Sequence, residues 1–318
     1  MQEILRSIRK ILIIILNNPP MHKAMARQSM ILKVEKQKDY ELIDSGNGEK
    51  LERYGDYILR RPDPEALWAK SKEIDFWNKA DLKFVRNGNK TKWIVRDGIS
   101  RNWNINYGGL NFSIRPTSFK HTGLFPEQMP NWEWMEKIIK KEKKSEPISV
   151  LNLFAYTGGA TLACAKAGAE VCHVDGSKTS VSWARENAEL SGLSDRPIRW
   201  IIDDVLMFLK REIKRGRKYD AILMDPPSFG HGPKDELWKI EESFLELINL
   251  CKEVLSDDPL FVLINGYTAG YSPVAYQNIL IDMMKKYKGS IEIGELVIKE
   301  SDSERLLPCG IFARWSKN

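Results

Sequence analysis

The sequence predicts an α/β protein: a seven-stranded, mostly parallel sheet over residues 126–318, preceded by a smaller, mainly β domain over residues 25–125. Two observations carry this. After Pro130, apolar strands alternate with amphipathic helices, the rhythm of repeated βα units with right-handed crossovers. Before it, short runs of Val, Ile, Tyr, Trp and Phe are broken by Gly46-Asn47, Asn87-Gly88, Asp97-Gly98 and Gly108-Gly109, dipeptides that punctuate strands. A chain of 318 residues also exceeds the usual size of one hydrophobic core.

In chain order, Arg6, Arg9 and Lys10 precede the apolar run Ile11 to Leu16 in the manner of a secretory signal. That run is shorter than a signal core, and Asn17, Asn18, Pro19 and Pro20 follow it in place of a small-residue cleavage site. Residues 1–24 are therefore expected to be a loosely attached tail, or to lie upstream of the true start at Met21, Met25 or Met30. The β domain follows from Ile31 to Phe119, with one short helical stretch expected around Pro64 to Lys70. A lysine-rich helix, Trp132 to Lys144, leads into five strands: Ile148 to Phe154, Glu170 to Asp175, Ile198 to Asp203, Tyr219 to Asp225 and Leu260 to Asn265. The stretches Thr161 to Ala167, Thr179 to Leu190, Val205 to Lys214, Leu237 to Leu255 and Val274 to Lys286 read as helices. Two last strands, Ile291 to Lys299 and Ile311 to Trp315, have no helix between them and should pair antiparallel at the sheet edge.

Composition is that of an ordinary globular protein, 42% hydrophobic and 29% charged, and no apolar run is long enough to span a bilayer. Cys164, Cys172, Cys251 and Cys309 lack paired metal-type spacing and are expected to be reduced thiols in a cytoplasmic protein without bound metal. The net charge of +6 is unevenly spread. Residues 1–125 hold 23 Lys and Arg against 14 Asp and Glu, whereas the remainder holds 26 against 29. That asymmetry points to a polyanion contacted by the first domain, or to a basic surface that is simply solvated.

In an open α/β sheet the ligand lies at the carboxyl ends of the strands, near the point where strand order reverses. The first strand of the large sheet ends in Phe154-Ala155-Tyr156-Thr157-Gly158-Gly159, where glycine lets a ligand approach the backbone and the next helix N-terminus favours an anion. The spacing is neither that of a dinucleotide loop nor that of a P-loop. The second strand ends in Asp175, with Ser177 just beyond, at the distance where a carboxylate accepts from ribose hydroxyls. Asp203 and Asp204 end the third strand, and Asp225-Pro226-Pro227-Ser228-Phe229 the fourth. A lone Asp at a strand end is usually a helix N-cap. Four consecutive polar or glycine endings on one rim are harder to reach by capping alone.

With these motifs the chain resembles the class I S-adenosylmethionine-dependent methyltransferases with a Rossmann-like sheet, in particular the bacterial 23S ribosomal RNA large-subunit methyltransferases I and K/L. The resemblance is carried by Asn152 to Gly159, Val174-Asp175, Asp204 and Asp225 to Phe229, by Thr122 to Gln128 ahead of the sheet, and by Leu42 to Gly46 and Arg60 to Pro64 in the β domain. It implies S-adenosylmethionine as cofactor. By that resemblance Phe154, Ala155, Thr157, Gly158 and Gly159 line its methionine part, Asp175 holds the ribose hydroxyls, Asp204 bonds the adenine amino group, and Phe125 and Gln128 close over it. Asp225, Pro226 and Pro227 would face the methyl acceptor, with Phe229 packing against an extruded base. Cytosine carbon-5 methylation needs a cysteine thiolate at the end of strand four or five, and Pro227-Ser228 and Asn265-Gly266-Tyr267 stand there instead.

The segment Lys83 to Lys120 carries Lys83, Arg86, Lys90, Lys92, Arg96, Arg101, Arg115 and Lys120 against the single acid Asp97. Interleaved are Phe84, Trp93, Trp103, Tyr107, Phe112 and Phe119, so the segment reads as an RNA face with Lys90, Lys92, Arg96 and Arg101 as phosphate contacts. The expected function is RNA methylation, with ribosomal RNA as partner and a purine nitrogen as acceptor. A protein or small-molecule methyltransferase, or an RNA module that binds the cofactor without catalysis, are the alternatives. Oligomeric state is left open.

Overall fold

The computed structural model describes residues 29–88, 90–118, 120–268 and 270–318. The expected tail and the apolar run Ile11 to Leu16 lie outside them, as does Phe119. The first strand, β1 (Met30–Val34), is followed by a meander β2 (Tyr40–Gly46), β3 (Glu49–Tyr54) and β4 (Tyr57–Pro62), a short helix α1 (Ile74–Asn78), and the pair β5 (Leu82–Asn87) and β6 (Lys90–Val95). Strands β2 to β6 form a five-stranded sheet, and β7 (Trp103–Tyr107) and β8 (Leu110–Ile114) a separate hairpin.

The stretch Pro64 to Lys70, expected to be helical, is irregular, and the helix lies later at Ile74–Asn78. The reason is a buried carboxylate. Asp44 accepts from the backbone N–H groups of Ser71 and Lys72, the Ser71 hydroxyl and the Trp77 indole, which ties the loop down in an extended path. The Leu42 to Gly46 motif thus serves structure: beside Asp44, Ser45 donates from its backbone N–H and hydroxyl to the buried carboxylate of Glu300.

Beyond a 3-10 turn at Pro126–Gln128 come α2 (Met129–Lys141), β9 (Ser149–Leu153), α3 (Gly159–Lys166), β10 (Glu170–Asp175), α4 (Lys178–Leu190), β11 (Ile198–Ile202), α5 (Val205–Lys214) and β12 (Ala221–Met224). A small hairpin, β13 (Phe229–His231) and β14 (Leu237–Lys239), precedes α6 (Ile240–Val254), β15 (Phe261–Gly266), α7 (Pro273–Met284), β16 (Gly289–Lys299) and β17 (Leu306–Lys317). Helix α5 shows why the pattern was readable. The Asp204 side chain caps it by accepting from the Met207 N–H, and Val205, Phe208, Leu209 and Glu212 form its buried stripe.

The large sheet runs β1-β16-β17-β15-β12-β9-β10-β11. Strands β9 to β12 and β15 are mutually parallel, while β17 is antiparallel to both β15 and β16. The seven expected strands are all present, and β1 adds an eighth, parallel to β16. The free edge of β16 can accept it because Gly294 has no side chain where the Met30 carbonyl passes. Strand β1 thus joins the large sheet, while β2 to β6 and the β7–β8 hairpin keep sheets of their own. The β7–β8 hairpin also packs on α4, where the Ser113 N–H donates to Asn187 and the Trp183 indole to the Ser113 carbonyl. Order reverses between β12 and β10, on either side of β9, so the carboxyl ends of β9, β10, β11 and β12 converge on one crevice.

Candidate active site

That crevice holds a cavity of about 720 Å³, lined on one side by the strand ends and on the other by β-domain residues. A smaller cavity of about 70 Å³ continues it beneath the β9 loop. The loop is tightly wound: Phe154 and Tyr156 adopt left-handed backbone conformations (φ 56° and 49°) that non-glycine residues rarely take. A carboxylate stabilises the bend, since one oxygen of Asp175 accepts from the Tyr156 N–H at 2.8 Å and the other from the Ser177 N–H at 2.8 Å. Burial raises the Asp175 pKa against the pull of these two amides. A Cβ at Gly159 would lie 2.3 Å from Trp132, so glycine there also makes room for the protein's own indole.

All twelve residues expected to hold the cofactor border one cavity or the other. Phe125, Phe154, Asp175, Ser177, Asp203, Asp204 and Asp225 line the large one. Phe125, Gln128, Phe154, Ala155, Thr157, Gly158, Gly159 and Asp225 line the small one. Several have structural duties as well. Asp204 caps α5, Ser177 caps α4, Asp203 pairs with Arg211, and the Thr157 hydroxyl donates to the Gly123 carbonyl at 2.5 Å. Phe125 stands between His121, Tyr156 and Tyr267 with ring centroids 5.2, 5.6 and 5.6 Å away. Gln128 is buried, donates to the Tyr267 hydroxyl at 2.7 Å and accepts from Asn131.

At the end of β12, Asp225, Pro226, Pro227 and Phe229 all line the large cavity. The Pro227 carbonyl accepts from the Trp238 indole at 2.6 Å and the Ser228 carbonyl from the Ile240 N–H, which fixes the turn into the β13–β14 hairpin. Phe229 is left 57% exposed. Part of Asp225 opens to the cavity, yet burial of its carboxyl, with the charge of Glu127 added, pushes its pKa up to about 7. Glu127 itself is buried and raised by burial, against the charge of Lys50 and a hydrogen bond from Tyr267.

Two expectations need correction. Phe84, Trp93, Tyr107 and Phe112 are buried core residues, and the Trp103 indole donates to the Tyr54 carbonyl, so these five rings are not base-stacking platforms. The four cations Lys90, Lys92, Arg96 and Arg101 are exposed, but none of them lines the cavity, and Arg96 pairs with Asp81. Second, one cysteine does reach the site. Cys309, on β17, lines the large cavity, with its thiol pointed at the Leu307 carbonyl 3.4 Å away and its pKa held well above the usual range by burial. It is a protonated thiol on an interior strand, not a thiolate at the end of β12 or β15.

The wall opposite the strand ends was largely missed. Lys50, Arg61, Asp63, Lys120, His121 and Glu127 line the cavity, brought there by the β3–β4 pairing and by the segment around Pro126, and Tyr267 joins them from just beyond β15. Arg61, Asp63 and Glu127 fall within the Arg60 to Pro64 and Thr122 to Gln128 motifs, in which no periodicity marks a site, whereas Lys50, Lys120, His121 and Tyr267 fall outside them.

An α/β sheet with this strand order, an acid at each of three strand ends and an aromatic-walled crevice is an arrangement suited to a nucleoside-containing cofactor. The acids, the capped helix ends and the 720 Å³ of space fit an adenosyl group and a charged sulfonium. The model of the S-adenosylmethionine-dependent methyltransferase family matches residues 62–255, and the chain belongs to that family. A SAM-dependent methyltransferase from Agrobacterium tumefaciens is 38% identical, with 92% of this chain and 98% of that one aligned at a TM-score of 0.86. Ribosomal RNA large subunit methyltransferase K/L of Syntrophotalea carbinolica is 31% identical over 173 residues, and methyltransferase I of Aeromonas salmonicida 32% over 200. Those matches take in 54% and 62% of this chain but only 23% and 48% of the two relatives. The protein is thus a methyltransferase, and S-adenosylmethionine is its cofactor. Among the described residues no helix is long and apolar enough to cross a membrane.

Proposed function

We propose that the chain methylates RNA, at an amino nitrogen of a base turned into the cavity. The observation that carries this is the Asp225 to Phe229 turn: a carboxyl titrating near 7 beside an exposed aromatic ring, both on the wall of a cavity large enough for a nucleoside besides the cofactor. When bound, the cofactor supplies an electrophilic methyl carbon. The protein's part is alignment and exclusion of water. Phe229 stacks on the base, an Asp225 oxygen accepts an N–H of the amino group and orients its lone pair, and the same oxygen takes the proton that nitrogen must lose. Phe125, Gln128 and Tyr267 close the methionine side. Asp175 receives the ribose hydroxyls and Asp204 the adenine amino group.

The names of the ribosomal RNA methyltransferase relatives favour RNA as the acceptor class, and the excess charge of the β domain favours the same class. The exposed cations Lys90, Lys92, Arg96 and Arg101 would dock the strand outside the cavity. Incubation with methyl-labelled cofactor and undermodified cellular RNA, followed by nucleoside analysis, tests the reading. Label in an N-methylpurine upholds it; label in protein or small molecules alone overturns it. The protonated Cys309 argues against carbon-5 chemistry, so Cys309→Ser should keep turnover within about twofold of wild type, whereas a thiolate nucleophile would lose roughly 10²-fold or more.

A further inference from the structure

The wall of the cavity contributed by the β domain carries three cations, Lys50, Arg61 and Lys120. Two are matched. Arg61 is buried and grips Glu52 with two donors, at 2.8 and 2.6 Å, while Lys50 sits 3.1 Å from Asp63 and 3.7 Å from Glu52. Lys120 is the surplus charge: its ammonium has the Pro62 carbonyl at 3.5 Å, and among the described residues no carboxylate lies within ion-pair distance of it. Of the other acids on this wall, Glu65 is exposed and Glu127 is buried with its pKa raised by that burial. An ammonium has three donors, and one long contact to a carbonyl leaves it undersatisfied. Its position is nonetheless built. Arg61 donates to the Lys120 backbone carbonyl at 3.0 Å, and the next residue, His121, packs on Phe125. Burial lowers the Lys120 pKa, and against the charge of Asp63 the neighbouring charges of Lys50 and Arg61 lower it further.

The wall lies within electrostatic reach of the transfer chemistry, since Glu127 senses Lys50 and in turn raises Asp225. His121, lowered to about 4 by burial and by the charges of Arg61, Lys120 and Lys50, is neutral at pH 7 and leaves the wall positive through its lysines and arginine.

We propose that Lys120, held at the cavity wall by Arg61 and Pro62, binds a phosphate of the nucleotide that accepts the methyl group. This rests on the RNA reading above, and it separates two kinds of cation. Lys90 and Lys92 contact the strand outside, whereas Lys120 meets the one phosphate that enters with the turned-out base. A charge-assisted contact in a desolvated wall is worth at least about tenfold in affinity.

The test compares Lys120→Met, Lys120→Arg and a Lys90→Met, Lys92→Met outer control in the full chain, with S-adenosylhomocysteine saturating for binding and S-adenosylmethionine for turnover. Lys120→Met should raise the KM for RNA by about tenfold or more and flatten the salt dependence of RNA binding by roughly 0.7. Cofactor affinity should stay unchanged and Lys120→Arg should recover most of the loss. A nucleoside monophosphate should protect wild-type protein against thermal unfolding better than its nucleoside, and this preference should vanish in Lys120→Met but survive in the outer control. A folded Lys120→Met protein with wild-type RNA affinity, salt slope and monophosphate preference overturns the proposal while leaving RNA methylation intact. A wild-type protein that methylates no RNA defeats that reading instead; a Lys120-dependent monophosphate preference would then still uphold the phosphate site, and its absence would sink both.

Discussion

At Asp225 the burial that lifts the carboxyl to about 7 makes both turnover and stability depend on pH. If its ionised oxygen receives the acceptor's proton, kcat/KM rises through pH 7 and levels above it, and Asp225→Asn loses about 10²-fold or more along with that dependence. A pH profile that ignores the substitution would remove Asp225 from proton transfer. Stability follows the same group with the sign fixed by linkage. The folded state keeps this proton to about pH 7 whereas the unfolded chain releases it near the ordinary carboxyl value, so ionisation costs the fold stability between those limits. The apo Asp225→Asn protein should melt higher than wild type at pH 8 and alike at pH 4. Asp175 behaves differently, because its oxygens hold the β9 loop while the residue lines the cavity proposed for the cofactor. Asp175→Ala should weaken cofactor binding by roughly 1.5–3 kcal/mol by titration calorimetry, the usual cost of deleting a charged hydrogen-bond partner.

Among the elements, α5 is anchored by Glu212, which is fully buried yet accepts from Arg199 twice, Arg215 and the Tyr219 hydroxyl. Burial alone would raise its pKa, but these donors outweigh it and bring it to about 2. The stability it contributes is therefore present above the ordinary carboxyl range and lost as pH falls toward 2, and Glu212→Gln should narrow the difference in melting temperature between pH 7 and pH 3. The helix was legible because cap, stripe and basic last turn agree along the sequence. So were strands β9 to β12, β15 and β16 and the acids at their ends, each within a residue or two of its observed place, whereas β17 starts at Leu306 and not Ile311, and β1 was not expected in this sheet. The turn from Pro64 to Lys70 was not legible, because Asp44 organises it from far along the chain. Neither were Lys120 and Cys309 as cavity residues, since only the docking of one sheet against the other brings them there. The aromatic ladder failed for a related reason: alternation shows that a ring is on one face of a strand, but not whether that face meets solvent or core.

For the whole molecule, the proposed cofactor and RNA contacts fall on different segments, and they should separate experimentally. Neutralising Lys90, Lys92, Arg96 and Arg101 together should weaken RNA binding and flatten its salt slope by about 0.7–0.9 per phosphate contact, with cofactor affinity unchanged. An unaltered slope would make that face mere solvated surface. One edge of the sheet has a consequence for how the chain assembles. Strand β1 leaves the ribosome among the first described segments, yet its partner β16 is among the last, with Met30 opposite Gly294. Nascent β1 must therefore wait for nearly the whole catalytic sheet to be synthesised, and until it docks β16 keeps an unpaired edge of the kind that recruits strands from other chains. A Cβ at Gly294 would strike the Met30 carbonyl at 1.8 Å, so Gly294→Ala should leave that edge open. Its expected signature is a slow last phase of folding that disappears and soluble yield that falls during synthesis, with chain release, not collapse of the core, setting the moment of closure.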